Sequence, residues 1–137
     1  MMRYTFALIF TMVSTFGFAQ QIESNVTMDA PVFKFETKVI DYGKILKDSD
    51  GIRTFEFMNI GNSPLIVTKV SSSCGCMIPK MPEDPIMPGG KGEIQVKYET
   101  NRLGRISKSI YVMSNATEPR LILKIKGEVV LELPDAN

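Results

Sequence analysis

The sequence predicts an all-β fold, an immunoglobulin-like antiparallel β-sandwich of about seven strands, and three observations carry that expectation. From Pro31 onward apolar residues recur at every second position, the period of a strand with one buried face. Clusters of Gly, Pro, Asn and Ser interrupt the pattern at short intervals, as turns between antiparallel strands do. No stretch after Pro31 carries the i, i+3, i+4 spacing of an amphipathic helix of useful length.

The first strand is expected near residues 31 to 37, where Phe33 and Phe35 alternate with Lys34 and Glu36. A second, near 38 to 46, carries a turn signal at Gly43 and runs toward DSDG at Gly51. In the third, near 51 to 59, RTFEFMN turns Phe55 and Phe57 inward and Thr54 and Glu56 outward. The turn NIGNSP, from Asn59 to Pro64, leads to a fourth near 64 to 71. The fifth, near 91 to 99, shows the clearest alternation, with Ile94, Val96 and Tyr98 against Glu93, Gln95, Lys97 and Glu99. A sixth, near 105 to 114, lies between NRLG and SNATEP. The seventh, near 120 to 132, puts Leu121, Leu123, Ile125, Val129 and Leu131 on one side, with Lys124, Lys126, Glu128 and Glu132 mostly on the other. Inward apolar and outward polar residues leave each sheet one wet face.

The chain opens MMRYTFALIFTMVSTFGFAQ, with Arg3 before an apolar run and the small residues Gly17 and Ala19 where a signal peptidase reads. This predicts a signal peptide over 1–19, cut before Gln20, and a periplasmic or secreted protein. The run is shorter than the roughly 20 apolar residues of a membrane span, so no membrane insertion is expected after cleavage. A flexible linker over 20–30 and one sandwich domain over 31–133 complete the expected organisation.

The full chain has 16 basic and 15 acidic residues. Removing the leader takes Arg3 with it and leaves no net charge, so nothing attracts nucleic acid or anionic lipid to the molecule as a whole. There is no histidine. That excludes every Ser-His or Cys-His nucleophile and every imidazole metal ligand, and the expectation is a protein that is not an enzyme and holds no cofactor.

One interval breaks the rhythm. Residues 72 to 90, SSCGCMIPKMPEDPIMPGG, form a long connection with Pro79, Pro82, Pro85 and Pro88 at every third position, a spacing that favours an extended, stiff path. Connections this long in a compact domain are often functional. The segment also holds both cysteines, Cys74 and Cys76, separated by Gly75. As a staple their bridge is worth little, because closing so short a ring constrains the unfolded chain by only about 1.6 kcal/mol.

Three readings stay open for the pair. It shapes the loop, it forms a reversible disulfide, or its thiolates, with the thioethers of Met77, Met81 and Met87, hold Cu(I). Lys80 is the cation nearest in sequence that would favour a thiolate. Zinc would need carboxylates or a second chain, since one chain supplies two thiolates and no imidazole.

The segments FEFMNIGNSPLIV, SSSCGC, PIMPGGKGEIQVKY and GRISKSIYVMSN together resemble the bacterial exported family known as domain of unknown function 1573. Its pattern is an aromatic strand, then N-x-G-x-x-P-L, S-C-G-C-T, P-G-x-x-G-x-I-x-V-x-Y and a final S-N. The likeness runs from residue 33 to 127, and Met77 stands where the pattern has threonine. The resemblance implies a Hydin-type immunoglobulin-like domain that binds other macromolecules.

The functional expectation is therefore an exported binding or structural module of the bacterial cell envelope. Its contact surface is Ser73, Cys74, Gly75, Cys76 and Met77 with the proline-rich segment, and its partner is another envelope protein or peptide. The alternative is thiol-disulfide exchange or Cu(I) binding through Cys74 and Cys76.

Overall fold

A computed structural model describes residues 29–135. The expected signal peptide over 1–19 and most of the linker over 20–30 lie outside the described residues. Eight strands form two four-stranded sheets. The first has the order β1-β3-β6-β5, built from β1 (Phe33–Phe35), β3 (Ile52–Asn59), β6 (Lys91–Tyr98) and β5 (Met77–Lys80). The second has the order β2-β8-β7-β4, built from β2 (Val39–Leu46), β8 (Arg120–Val130), β7 (Gly104–Ser114) and β4 (Val67–Ser72).

The inward rows read from the alternation meet between the sheets. Phe55, Phe57, Ile94, Val96 and Tyr98 come from the first sheet, and Ile110, Val112, Leu121, Leu123, Ile125 and Val129 from the second, all buried. Phe33 and Phe35 are half-buried at the margin, their rings 5.0 and 5.3 Å from that of Phe57. Leu131, expected on the inward row, is 67% exposed because β8 ends at Val130 and the chain leaves the sheet.

The sandwich is not wholly antiparallel. β2 runs parallel to β8, from Val39 opposite Lys124 to Leu46 opposite Val130. The chain passes from the first sheet to the second between β1 and β2, where the Val39 N–H donates to Thr37 Oγ1 at 3.2 Å and the hydroxyl donates to the Val39 carbonyl at 2.7 Å. Period two is the same for either pairing, so strand direction was not legible in it. The register of β2 shifts between Asp41 and Lys44, and Gly43 takes a left-handed φ of 63° at that bulge.

The eighth strand, β5, lies inside the interval expected to be an extended loop. It pairs with β6, Met77 opposite Tyr98 and Lys80 opposite Gln95. The Glu99 N–H donates to the Cys76 carbonyl at 2.9 Å, so Ile78 takes a bonded position and Pro79 a position whose backbone faces the free edge. There the absent N–H of proline costs the ladder nothing.

The rest of the interval is tied down by one buried side chain. Asn59 Oδ1 accepts the N–H of Val32 at 3.2 Å and of Gly61 at 3.0 Å. Its Nδ2 donates to the carbonyls of Ser63 at 2.8 Å and Ile86 at 2.9 Å. Main-chain bonds add to this, from Asn59 N–H to Gly90 and from Gly89 N–H to Asn59, at 2.9 and 2.7 Å. Leu65 and Ile86 exchange both of their backbone bonds at 2.8 Å.

Tyr42 on β2 is buried, donates its hydroxyl to the Gly51 carbonyl at 2.7 Å and lies under the Arg53 guanidinium, 4.3 Å from the ring centre. Burial pushes its pKa up to about 12, against a smaller opposing pull from Arg53.

Two predictions follow from these contacts. Asn59→Ala leaves the N–H groups of Val32 and Gly61 and the Ser63 carbonyl without their partner, takes one of two donors from the Ile86 carbonyl, and lowers stability in urea by roughly 2–4 kcal/mol. Because the folded state keeps Tyr42 neutral above the ordinary tyrosine pKa of 10.0, its contribution is complete below pH 10 and is lost as pH rises toward 12. The Tyr42→Phe variant therefore lacks one late tyrosinate transition in an absorbance titration and loses less stability over that interval than the parent.

Candidate functional site

The Cys-Gly-Cys turn is where the chain crosses between the sheets, leaving the second at Ser72 and entering the first at Met77. Cys74 and Cys76 form a disulfide with their α-carbons 5.2 Å apart, inside the usual range. The Ser72 hydroxyl donates to the Cys74 carbonyl at 2.5 Å, and the Cys76 N–H points at Cys74 Sγ at 3.3 Å. The turn is anchored to β7 on one side, where Ser73 N–H donates to the Ser109 carbonyl at 2.9 Å and Ser109 N–H to Ser73 Oγ at 3.1 Å.

The five expected contact residues do not all face outward. Ser73 and Gly75 are exposed and Cys74 is half-buried against the core. Cys76 is 1% exposed and Met77 is also buried. The motif is thus divided between surface and core. Tertiary packing draws the second half of the motif inward, because Met77 starts β5 on the same row as Val96 and Tyr98. The apolar surface of the segment comes instead from Ile78 and Met87, each 60% exposed, and Met81 at 38%. Beside them a shallow cleft of about 440 Å³ is lined by Met81, Pro82, Asp84, Ile86 and Gly92.

Gly75 does not sit at a left-handed φ, and a Cβ built on it would meet nothing within 4 Å. Apart from its two cysteine neighbours, nothing crowds this glycine. With both sulfurs in one bridge, the oxidised turn presents no thiolate to Cu(I).

Lys80, the cation singled out from the sequence, is exposed and four residues along β5 from Cys76. A different lysine stands nearer in the ladder. Ser72 pairs with Ile110 and Ser73 bonds Ser109, so Lys108 is the next residue of β7 beyond the point where the chain turns away at Cys74. Lys108 is half-buried, shares its row with Ile106, Ile110 and Val112, and makes no ion pair with a described residue. The signal was present in RISKSIYV, where period two puts a lysine among inward isoleucines.

Residues 33–129 match the family model described as a protein of unknown function, DUF1573. Among solved structures, a protein of unknown function from Porphyromonas gingivalis W83 is similar at 18% identity and a TM-score of 0.65, over 79% of this chain and 51% of that one. The present chain thus spans about half the length of that protein. PapD-like domain 7 of human CEP192 is similar at 11% identity and a TM-score of 0.62, over 77% of this chain and 89% of the domain. The CupB2 chaperone of Pseudomonas aeruginosa is similar at 10% identity and a TM-score of 0.53, over 70% of this chain and 55% of the chaperone. These likenesses show the fold, an immunoglobulin-like β-sandwich. No curated protein matches the chain.

Because its added methyl group meets open space, Gly75→Ala changes stability by less than about 0.5 kcal/mol in urea unfolding.

Proposed function

Because the chain belongs to the DUF1573 family, matched over residues 33–129, we propose that it is an exported binding or structural module of the bacterial cell envelope. The crossover segment from Ser73 to Gly90 is its contact surface. One observation carries this reading. A segment fixed at both ends by hydrogen bonds displays Ile78, Met81 and Met87 to solvent, and apolar side chains held out on an ordered backbone lose little freedom when a partner covers them. The likeness to domains whose names include chaperones supports a partner that is itself a protein.

The contact chemistry is mixed. Glu83 and Asp84 lie between the exposed methionines, and Lys80 and Lys91 flank them. A partner therefore offers an apolar patch ringed by both charges, the composition of an ordinary protein interface. Methionine suits such a surface because its unbranched thioether adapts to neighbours of different shape.

A photo-crosslinking residue placed at Ile78 or Met87 in the exported protein, irradiated in intact cells, is expected to give discrete protein adducts. The same residue at Lys126, on the outer face of the other sheet, should not. Equal adduct patterns at all three positions, or none at the first two, would remove the segment from the account.

A further inference from the structure

We propose that the Cys74–Cys76 bridge is a thiol-exchange site for an external dithiol, with Cys74 as the attacked sulfur and Lys108 as the residue that stabilises its thiolate. Three observations point the same way. The sulfurs are unequal: Cys76 is closed to solvent at 1% exposure, Cys74 is half-buried, and no residue beyond the two cysteines crowds the exposed glycine between them. An incoming thiolate therefore reaches Cys74. The Cys76 N–H, 3.3 Å from Cys74 Sγ, is already aimed at the sulfur that would carry the charge. Lys108, next on β7 to the Ser109 whose carbonyl accepts the Ser73 N–H, has no carboxylate of its own among the described residues.

The other charged groups around the turn do not replace it. Glu99 lies opposite Cys76 on the β6 side and is held by Arg102 at 3.8 Å. Lys97 and Lys80 fall further along β5 and β6, and both are exposed. Across the ladder from Lys108, β8 presents the apolar Ile125. A half-buried ammonium beside a sulfur favours the thiolate over the thiol, which is how reactive cysteines are usually made.

The step balances as a two-electron exchange. One thiolate of the dithiol attacks Cys74 Sγ and forms a mixed disulfide. The Cys74–Cys76 bond breaks, and its electron pair leaves on Cys76 Sγ, which takes a proton because its site is apolar. The second thiol of the reagent, deprotonated, then attacks its own sulfur in the mixed disulfide and expels Cys74 as a thiolate. The dithiol is oxidised to a disulfide, the protein pair is reduced to one thiolate and one thiol, and one proton is released.

Single-cysteine variants test the assignment. With an aromatic disulfide as probe, Cys76→Ser, which keeps Cys74, should react about tenfold or more faster than Cys74→Ser, which keeps the buried sulfur. In the Cys76→Ser background, Lys108→Met should move the midpoint of the pH–rate profile up by about one unit, Lys108→Arg should restore it, and Lys80→Met should leave it unmoved. Equal rates for the two single-cysteine proteins, or a profile indifferent to Lys108→Met, would overturn the proposal. Should either serine variant fail to fold, the unmutated bridge treated with excess glutathione, whose single thiol cannot expel the protein sulfur by closing a ring, then quenched in acid and peptide-mapped, decides the matter: an adduct chiefly on Cys74 supports it, and one chiefly on Cys76, or equally on both, refutes it.

Discussion

The carboxamide of Asn59 uses its whole hydrogen-bonding capacity inside the protein, two acceptor positions and two N–H groups, on three different segments. Few groups in the molecule are so constrained, and much else depends on it. Val32 fixes the entry of β1, Gly61 and Ser63 fix the turn after β3, and Ile86 fixes the far end of the crossover segment. A buried polar group satisfied in this way is costly to disturb and leaves one arrangement open to the backbone around it. Without it, the residues from Met81 to Gly90 would keep only the exchange between Leu65 and Ile86 and the main-chain bonds near Gly89. The order of the proposed contact surface is thus a property of a residue buried behind it.

At the opposite end of the same segment the constraint is of another kind. The chain must pass from the second sheet to the first within four residues, and it does so with a covalent ring, a serine hydroxyl and the tie to Ser109. The ring adds little stability of its own. What it does is set two sulfurs at different depths, one against the core and one at its rim. Chemical inequality between two identical side chains therefore arises from strand register alone.

Much of this was legible in the residues. The inward rows of β3, β6 and β8 follow period two, and Phe55, Ile94 and Leu123 are buried as that period requires. Direction was not, because Ile40 and Ile45 alternate identically whether β8 runs with them or against them. The strand Met77–Lys80 was hidden by its proline, which reads as a loop residue unless the edge position is known. In the site, the spacing of Cys74 and Cys76 announced the turn, but not that Cys76 and Met77 face inward, since depth depends on the other sheet. Asn59 read as a turn residue because the four groups it binds lie as far away as Val32 and Ile86 in the chain. Lys108 was visible in the pattern of its own strand, yet its place beside the Ser109 that ties down Ser73 is a fact of register.

Pro79 has one more consequence. Sheet borders that expose a full row of donors and acceptors invite a second copy to zip alongside, and the outcome is stacking into insoluble fibres. At the β5 border the outward position of Pro79 interrupts that row after a single residue. Ile78 can thereby stay exposed beside that border without offering a neighbouring strand a continuous ladder to extend.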